Sequence, residues 1–336
     1  MKIRNDKEKI TVLLATYNGE KYLVEQLDSI ISQTYINWEL WVRDDGSTDQ
    51  TLEILKQYEG KDNRIIILDN ENKKNLGPCM NFNQLCLNVG LNNYIMFCDQ
   101  DDVWFPDKIE LTYNCIIEKE EFIKNNQPIM VFTDYEIVDE KLNRLCKSGY
   151  KLISVGEKFF EKPLNTLLAF NFVWGCTLMC NRSLIEKCIP IPQNAENHDF
   201  WIALSGAVIG KMYFLDIPTM FYRQHSSNVT GMYEAKKMGN RIKRLFLGWD
   251  DMQKRITNSV YHAKCLRERF SSEIPEKKLI LIDDFIKCSQ KSGFKLFLFA
   301  IKNNIKKPKL IQTILFYMNL IVYKYKKISI SMKGEH

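Results

Sequence analysis

Short apolar runs alternate with amphipathic stretches along the first third of the chain. Ile10–Ala15 is apolar and closes on Thr16-Tyr17-Asn18-Gly19, a strand running into a turn. Tyr22, Leu23, Leu27, Ile30 and Ile31 then fall at helical spacing within Glu20–Gln33. Trp38–Val42 reads as a second strand that ends in Arg43-Asp-Asp-Gly-Ser-Thr-Asp49. Ser47 or Thr48 is suited to cap the helix carrying Leu52, Ile54 and Leu55. A third strand, Arg64–Leu68, precedes a polar loop to Gly77 and a helix around Met80–Leu87. Tyr94–Cys98 has the unbroken apolar character of a strand covered on both faces, and it runs straight into Asp99-Gln-Asp-Asp102.

Repeated strand–helix alternation predicts a doubly wound, mostly parallel α/β sheet, in which ligands bind beyond the C-terminal strand ends. Polar clusters occupy three of those ends, at 16–19, 44–49 and 99–102, and are expected to converge. Further strands are predicted at Ile129–Val138 and Met212–Leu215, and charged helices at Arg241–Phe270 and Leu279–Cys288.

The cluster after Cys98 carries the chemistry. Asp99, Asp101 and Asp102 repel one another unless a positive charge sits among them. A divalent cation with oxygen ligands, holding a phosphate-bearing substrate, would relieve that repulsion. The alternative is a solvated acidic turn capping the helix that begins near Asp107. Other nucleotide signatures are missing: no GxGxxG follows the first strand, and Gly206–Met212 is too short for a phosphate loop and lacks its hydroxyl.

Composition narrows the class. With 336 residues, 45% of them hydrophobic, the chain can form one large domain with an appendage. The first residues are charged with no apolar run behind them, so no signal peptide is expected, and the ten cysteines contain no CxxC pair. They read as reduced thiols of a cytoplasmic protein. The net charge of +6 is modest, and nucleic acid is not expected as a partner. It is concentrated late: from Lys291 onward there are ten lysines against one acid, Glu335. Gln312, Thr313 and Asn319 interrupt the last apolar run, which is too short and polar to span a bilayer. Basic amphipathic helices of this kind suit the surface of an anionic membrane, or alternatively form a helical cap with a solvated lysine face.

Taken in order, Ala15-Thr-Tyr-Asn-Gly-Glu-Lys-Tyr-Leu23, Asp44-Asp-Gly-Ser-Thr-Asp49, Asn75-x-Gly77 with Asn81, and Asp99-Gln-Asp-Asp102 resemble the family 2 inverting glycosyltransferases of the GT-A fold. The forms Cys98–Trp104, His198-Asp-Phe-Trp201 and Tyr222-Arg-Gln-His225 look most like the rhamnosyltransferase branch. The resemblance covers about Ile10 to Gly231. It implies a catalytic domain at 1–235, with a nucleotide-binding half (1–105) and an acceptor-binding half (106–235), followed by a helical extension (236–336). The implied reaction is metal-dependent sugar transfer from a dTDP- or UDP-sugar, with dTDP-rhamnose the first choice. A lipid-linked glycan would be the acceptor.

Residue roles follow from the same resemblance. Thr16, Tyr17, Asn18, Glu20, Asp45, Asn75 and Asp99 would contact the nucleotide sugar. Asp45 would accept from the base's ring N–H, with a turn-forming carboxylate as the alternative. Tyr17 would lie against the base or else pack in the core. Asp99, Asp101 and His225 would hold Mn²⁺ or Mg²⁺, and Arg223 would neutralise the diphosphate. Asp199 would be the general base, its alternative being a helix cap. Trp174, Gly175, His198 and Trp201 would meet the acceptor, burial being the alternative for Trp201. Asp102 is expected to cap the following helix, its alternative being to support the metal from behind its ligands, and Asp44 and Asp49 are expected to be structural. Rival readings are a nucleotidyltransferase and a non-catalytic sugar-nucleotide-binding module.

Overall fold

A computed structural model describes residues 8–70, 74–123, 127–225 and 241–325. The described strands form one nine-stranded sheet. In chain order they are β1 (Ile10–Thr16), β2 (Trp38–Asp44), β3 (Ile65–Ile67), β4 (Tyr94–Cys98), β5 (Val103–Trp104), β6 (Ile129–Val138), β7 (Arg144–Cys146), β8 (Leu178–Asn181) and β9 (Lys211–Arg223). Across the sheet the order is β3-β2-β1-β4-β8-β6-β9-β5, with β7 also on β6.

The first half is parallel, as the alternation requires. Helices α1 (Leu23–Ile31), α2 (Thr51–Glu59) and α3 (Pro78–Asn88) make its crossovers. Ile10, Val12, Leu13 and Leu14 of β1 and all of β4 are buried, so both faces of the sheet are covered. Register then does the positioning. Thr16 pairs with Asp44 and Leu14 with Cys98, which sets the three polar strand ends side by side.

The second half is mixed. β8 runs antiparallel to both β4 and β6, while β6 and β9 are parallel. β9 extends well past the Met212–Leu215 strand read from sequence. Thr133 pairs with Leu215 and Asp134 with Pro218, so the register slips where proline has no N–H to donate. The strand then resumes to Arg223 and pairs with β5, just beyond the acidic cluster. The helix cap also differs. α2 has no side-chain cap; Ser47 Oγ instead donates to Asp44 Oδ1 (2.5 Å) and accepts from Asn18 N (2.8 Å).

Helices α4 (Lys108–Ile123), α5 (Gly149–Ile153), α6 (Glu157–Phe160), α7 (Pro163–Leu167), α8 (Arg182–Cys188) and α9 (His198–Ile209) pack on the sheet and its connections. The C-terminal helices are α10 (Arg241–Phe270), α11 (Glu276–Lys291), α12 (Gly293–Lys302) and α13 (Leu310–Ile321). They join the same apolar core, which is continuous from Ile10 to Tyr323. Among the described residues no helix is long and apolar enough to cross a membrane.

Candidate active site

A cavity of about 400 Å³ opens beyond the C-terminal ends of β1 and β4. One wall comes from the turns after β1 and β2 and the start of α3: Thr16, Tyr17, Asp45, Asn75, Gly77 and Pro78. Asp99, Gln100 and Asp101 follow β4, in the middle of the sheet. The remaining wall, from the second half, carries Trp174, Gly175, Cys176, His198, Asp199 and Tyr222. Residues far apart in sequence thus share one chamber because β8 sits next to β4.

On the first wall, side chains build the turns. Asp44 Oδ1 accepts from Thr16 Oγ1 (2.9 Å), and Asp44 Oδ2 accepts from the Gly46 and Ser47 amides (3.1 and 2.7 Å), the structural role expected of it. Asp45 is buried and ion-paired to Arg43 (2.7 Å). It also accepts from the Leu76 and Gly77 amides at 2.8–3.0 Å. Its carboxylate therefore pins the loop before α3 while still lining the cavity. Tyr17 is 47% exposed at the mouth, which excludes the core alternative. Gln100 was not singled out from sequence. It grips the Tyr17 backbone at both ends, accepting from N (2.8 Å) and donating to O (2.9 Å). The fit leaves no room for a side chain at Gly19, whose Cβ would sit 2.4 Å from Gln100 Oε1.

Below lies the acidic cluster. Burial, then the charges of Asp101 and Asp199, push the Asp99 carboxyl up to about 7. Asp101 Oδ2 meets His225 Nε2 at 2.8 Å, so two of the three expected metal ligands touch. Asp102 does not cap α4. It is buried, accepts the Arg223 amide on Oδ1 (3.2 Å), and leaves Oδ2 without a hydrogen-bond partner. Burial and its two acidic neighbours hold Asp102 well above the carboxylate range. One oxygen each of Asp99 and Asp102 and the Cys176 sulfur lie within 4.8 Å of one another. Behind them Lys108 is fully buried, donates to Thr219 Oγ1 (3.0 Å), and is pushed down to about 8 by burial. Neither Lys108 nor Cys176 carried a sequence signal, since both read as ordinary element residues. Two buried carboxyls that resist ionisation, Asp99 and Asp102, the second with an orphan oxygen, are oxygen donors that fit a hard divalent cation, for which the Cys176 sulfur is a poor ligand.

Asp199 stands at the start of α9. Its Oδ2 accepts from Gly175 N (3.0 Å) and its Oδ1 from Asn171 Nδ2 (3.3 Å). Burial outweighs these bonds and lifts it to about 7. His198 is buried, packed at a tilt on Phe82 (3.9 Å between ring centres), and driven down to about 3 by desolvation, so it is neutral. Its Nε2 has no partner and lies under Gly175, where a Cβ would approach to 2.5 Å. Trp174 donates from Nε1 to Tyr135 Oη (2.6 Å), which fixes the indole in the cavity wall.

Four expected contacts lie elsewhere. Asn18 Oδ1 accepts from the Thr48 amide (2.9 Å), and Glu20 accepts from the Gln50 amide (2.9 Å); both staple the turns after β1 and β2 together and neither lines the cavity. Arg223 is buried behind the acidic loop, where it donates to the Asp101 carbonyl (2.9 Å) and the Glu140 carbonyl (2.7 Å) and pairs with Glu25. These partners take up the guanidinium, and Arg223 does not line the cavity where a diphosphate contact was expected of it. Trp201 is fully buried, donates to the Cys188 carbonyl (2.8 Å), and stacks on Phe270 of α10 at 6.2 Å. We expect Trp201→Ala to destabilise the fold by about 3–5 kcal/mol, with no selective effect on acceptor affinity. Urea unfolding beside acceptor titration would separate the two. Residues 226–240, the lysines at 326, 327 and 333, and Glu335 lie outside the described residues.

The chain matches the model for "Glycosyl transferase family 2" over residues 11–187. It belongs to that family. Among family relatives, the dTDP-rhamnosyl transferase RfbG of Shigella flexneri is 33% identical over 247 residues, spanning 70% of this chain and 78% of that protein. A second is the UDP-Glc:alpha-D-GlcNAc-diphosphoundecaprenol beta-1,3-glucosyltransferase WfgD of Escherichia coli. It is 33% identical over 202 residues, 59% of this chain and 70% of that protein. Solved structures agree on the fold. Crystalline S. aureus TarS 1-349 aligns with 93% of this chain and 90% of its own at TM-score 0.50 and 16% identity. The mannosyltransferase PcManGT of Pyrobaculum calidifontis, in complex with GDP-Man and Mn²⁺, aligns at TM-score 0.52 and 15% identity, covering 89% and 74%. The protein is a GT-A-fold glycosyltransferase of family 2.

Proposed function

We propose that the protein is a metal-dependent inverting transferase that moves a sugar, rhamnose from dTDP-rhamnose before others, onto a lipid-linked glycan of a cell-surface polysaccharide. The observation that carries this reading is the single chamber shared by Asp45, Asp99, Asp101 and Asp199, drawn from both halves of the sheet. Residues 1–235 would form the catalytic unit, working at the cytoplasmic face of the membrane, and 236–336 its extension.

In this reading Asp45, Tyr17 and Asn75 line the nucleoside end. Asp99, Asp101 and His225 are the residues that would hold Mn²⁺ or Mg²⁺, which when bound stabilises the charge of the departing diphosphate. Asp199 takes the proton from the acceptor hydroxyl as that oxygen attacks C1. The bond from C1 to the diphosphate oxygen breaks on the other side, so the anomeric carbon inverts. Trp174, Gly175 and His198 border the space next to Asp199 and would position the acceptor.

The rhamnosyl choice draws on the RfbG relative, while the WfgD relative keeps a UDP-hexose donor as the second reading. A donor panel separates them. We expect dTDP-rhamnose with Mn²⁺ to raise the melting temperature more than UDP-glucose does, since ligand bound only to the folded state stabilises it by mass action. Stabilisation by UDP-sugars alone would reverse the donor assignment. No nucleoside diphosphate release with any donor and acceptor would remove the catalytic reading.

A further inference from the structure

We propose that the outer face of α12 and α13 is a docking surface that inserts its apolar side chains into an anionic lipid membrane. The observation is a helix whose outer face is apolar although it also buries Phe316 and Leu320 on its inner one. α13 turns its polar Thr313 and Asn319 inward, where Thr313 Oγ1 donates to the Lys307 carbonyl (2.8 Å) and Asn319 Oδ1 accepts from Gln253 (3.0 Å). Its outward face carries Leu310 (76% exposed), Ile311 (72% exposed), Ile314, Met318 and Ile321. A helix on a water-facing surface normally shows the reverse pattern.

α12 extends the patch. Phe294, Leu298 and Ile301 recur at one face and are all about half exposed, while Leu296 and Ala300 are buried beneath them. The two helices are locked side by side by Gly293, where a Cβ would come within 2.3 Å of the Leu320 carbonyl. Eight large apolar side chains exposed on two adjoining helices exceed the scattered exposure that ordinary surfaces tolerate.

Charge decides the occupant. Lys291, Lys295, Lys302, Lys309 and Lys324 are exposed on or next to the two helices, and the sequence from 291 to 325 contains no acid, although the neighbouring α11 exposes Asp283 and Asp284. A second copy seated face to face would bring two lysine collars together. An anionic bilayer complements them, while the apolar rows enter the headgroup boundary. At ten and twelve residues the helices are too short to cross, so they lie in the plane of the surface.

The proposal concerns a surface and stands apart from the transfer chemistry. The test is sedimentation of the full chain with vesicles of phosphatidylcholine alone or mixed with phosphatidylglycerol. Wild type is expected to sediment with the mixed vesicles only. Ile311→Ser/Ile314→Ser/Met318→Ser is expected to lose roughly tenfold or more in vesicle affinity, with an unchanged melting curve because the three sites are exposed. Lys295→Glu/Lys302→Glu gives a second route with the same expected loss, and Asp199→Asn is expected to bind vesicles like wild type. The proposal is overturned if wild type ignores mixed vesicles or if both surface variants bind as tightly as it does. It is equally overturned if light scattering finds a dimer that the serine variant dissolves while vesicle binding is absent.

Discussion

Asp199→Asn is expected to lower the rate of sugar transfer by about 10²–10⁴-fold while donor affinity stays within about twofold. An amide is isosteric and its oxygen can still accept one of the two bonds from Gly175 N and Asn171. It cannot take a proton, so the loss falls on turnover and not on binding. Single-turnover transfer beside donor titration by calorimetry would separate these quantities. Retained turnover would move the base to another residue. The pH profile carries the same assignment. Asp199 sits at about 7 because it is desolvated, so the rate should climb as pH rises through that value. For stability the sign is opposite. Between the ordinary 3.8 and about 7 the folded carboxyl keeps a proton that the unfolded chain has lost. The ligand-free protein should therefore lose stability as pH rises through that window, with the loss complete above it. Asp99, also at about 7, works in the same direction.

The second large effect concerns the cation. Asp101→Asn should abolish the Mn²⁺-dependent part of donor binding and cost several kcal/mol in kcat/KM, or about 10²–10³-fold. Asp101 is also a like charge beside Asp99 and Asp102, and its removal should lower the Asp99 carboxyl in part, with burial, the larger cause, still holding it up. The ligand-free variant is thus expected to melt no lower than wild type. Thermal scans with donor, with and without Mn²⁺, test both halves. A variant that keeps its full Mn²⁺-dependent shift would take Asp101 out of the ligand set. His225, held against Asp101 at 2.8 Å, should give a smaller loss when changed to alanine.

Much of this site could be read along the chain because its parts are local. The strand ends at Thr16, Asp44 and Asp99 follow from apolar runs broken by turn residues, and parallel register then brings them together. Arg223 and Trp201 show where such reading stops. Both are residue types that often touch ligands, and both sit near site residues in sequence. Whether a guanidinium meets a phosphate or two backbone carbonyls depends on a strand that slips register at Pro218 and packs behind the acidic loop. Whether an indole faces sugar or Phe270 depends on a helix more than sixty residues later. Asn18 and Glu20 fail for a related reason: a polar turn side chain bonds whichever amide its neighbour loop presents.

The strand–helix alternation of the first hundred residues, the cluster of carboxylates and the lysine-rich end were determined by the sequence alone, because periodicity and charge are properties of neighbours. Tertiary structure decided the rest. It placed β8 beside β4, so that a carboxyl from α9 reached the chamber of β1 and β4, and it set Cys176 in the wall of that chamber with Lys108 buried nearby. It also turned Thr313 and Asn319 of α13 inward beside Phe316 and Leu320, and left large apolar residues outside. Each of these outcomes depends on which surfaces meet, and a side chain's solvation and partners are settled only when they do.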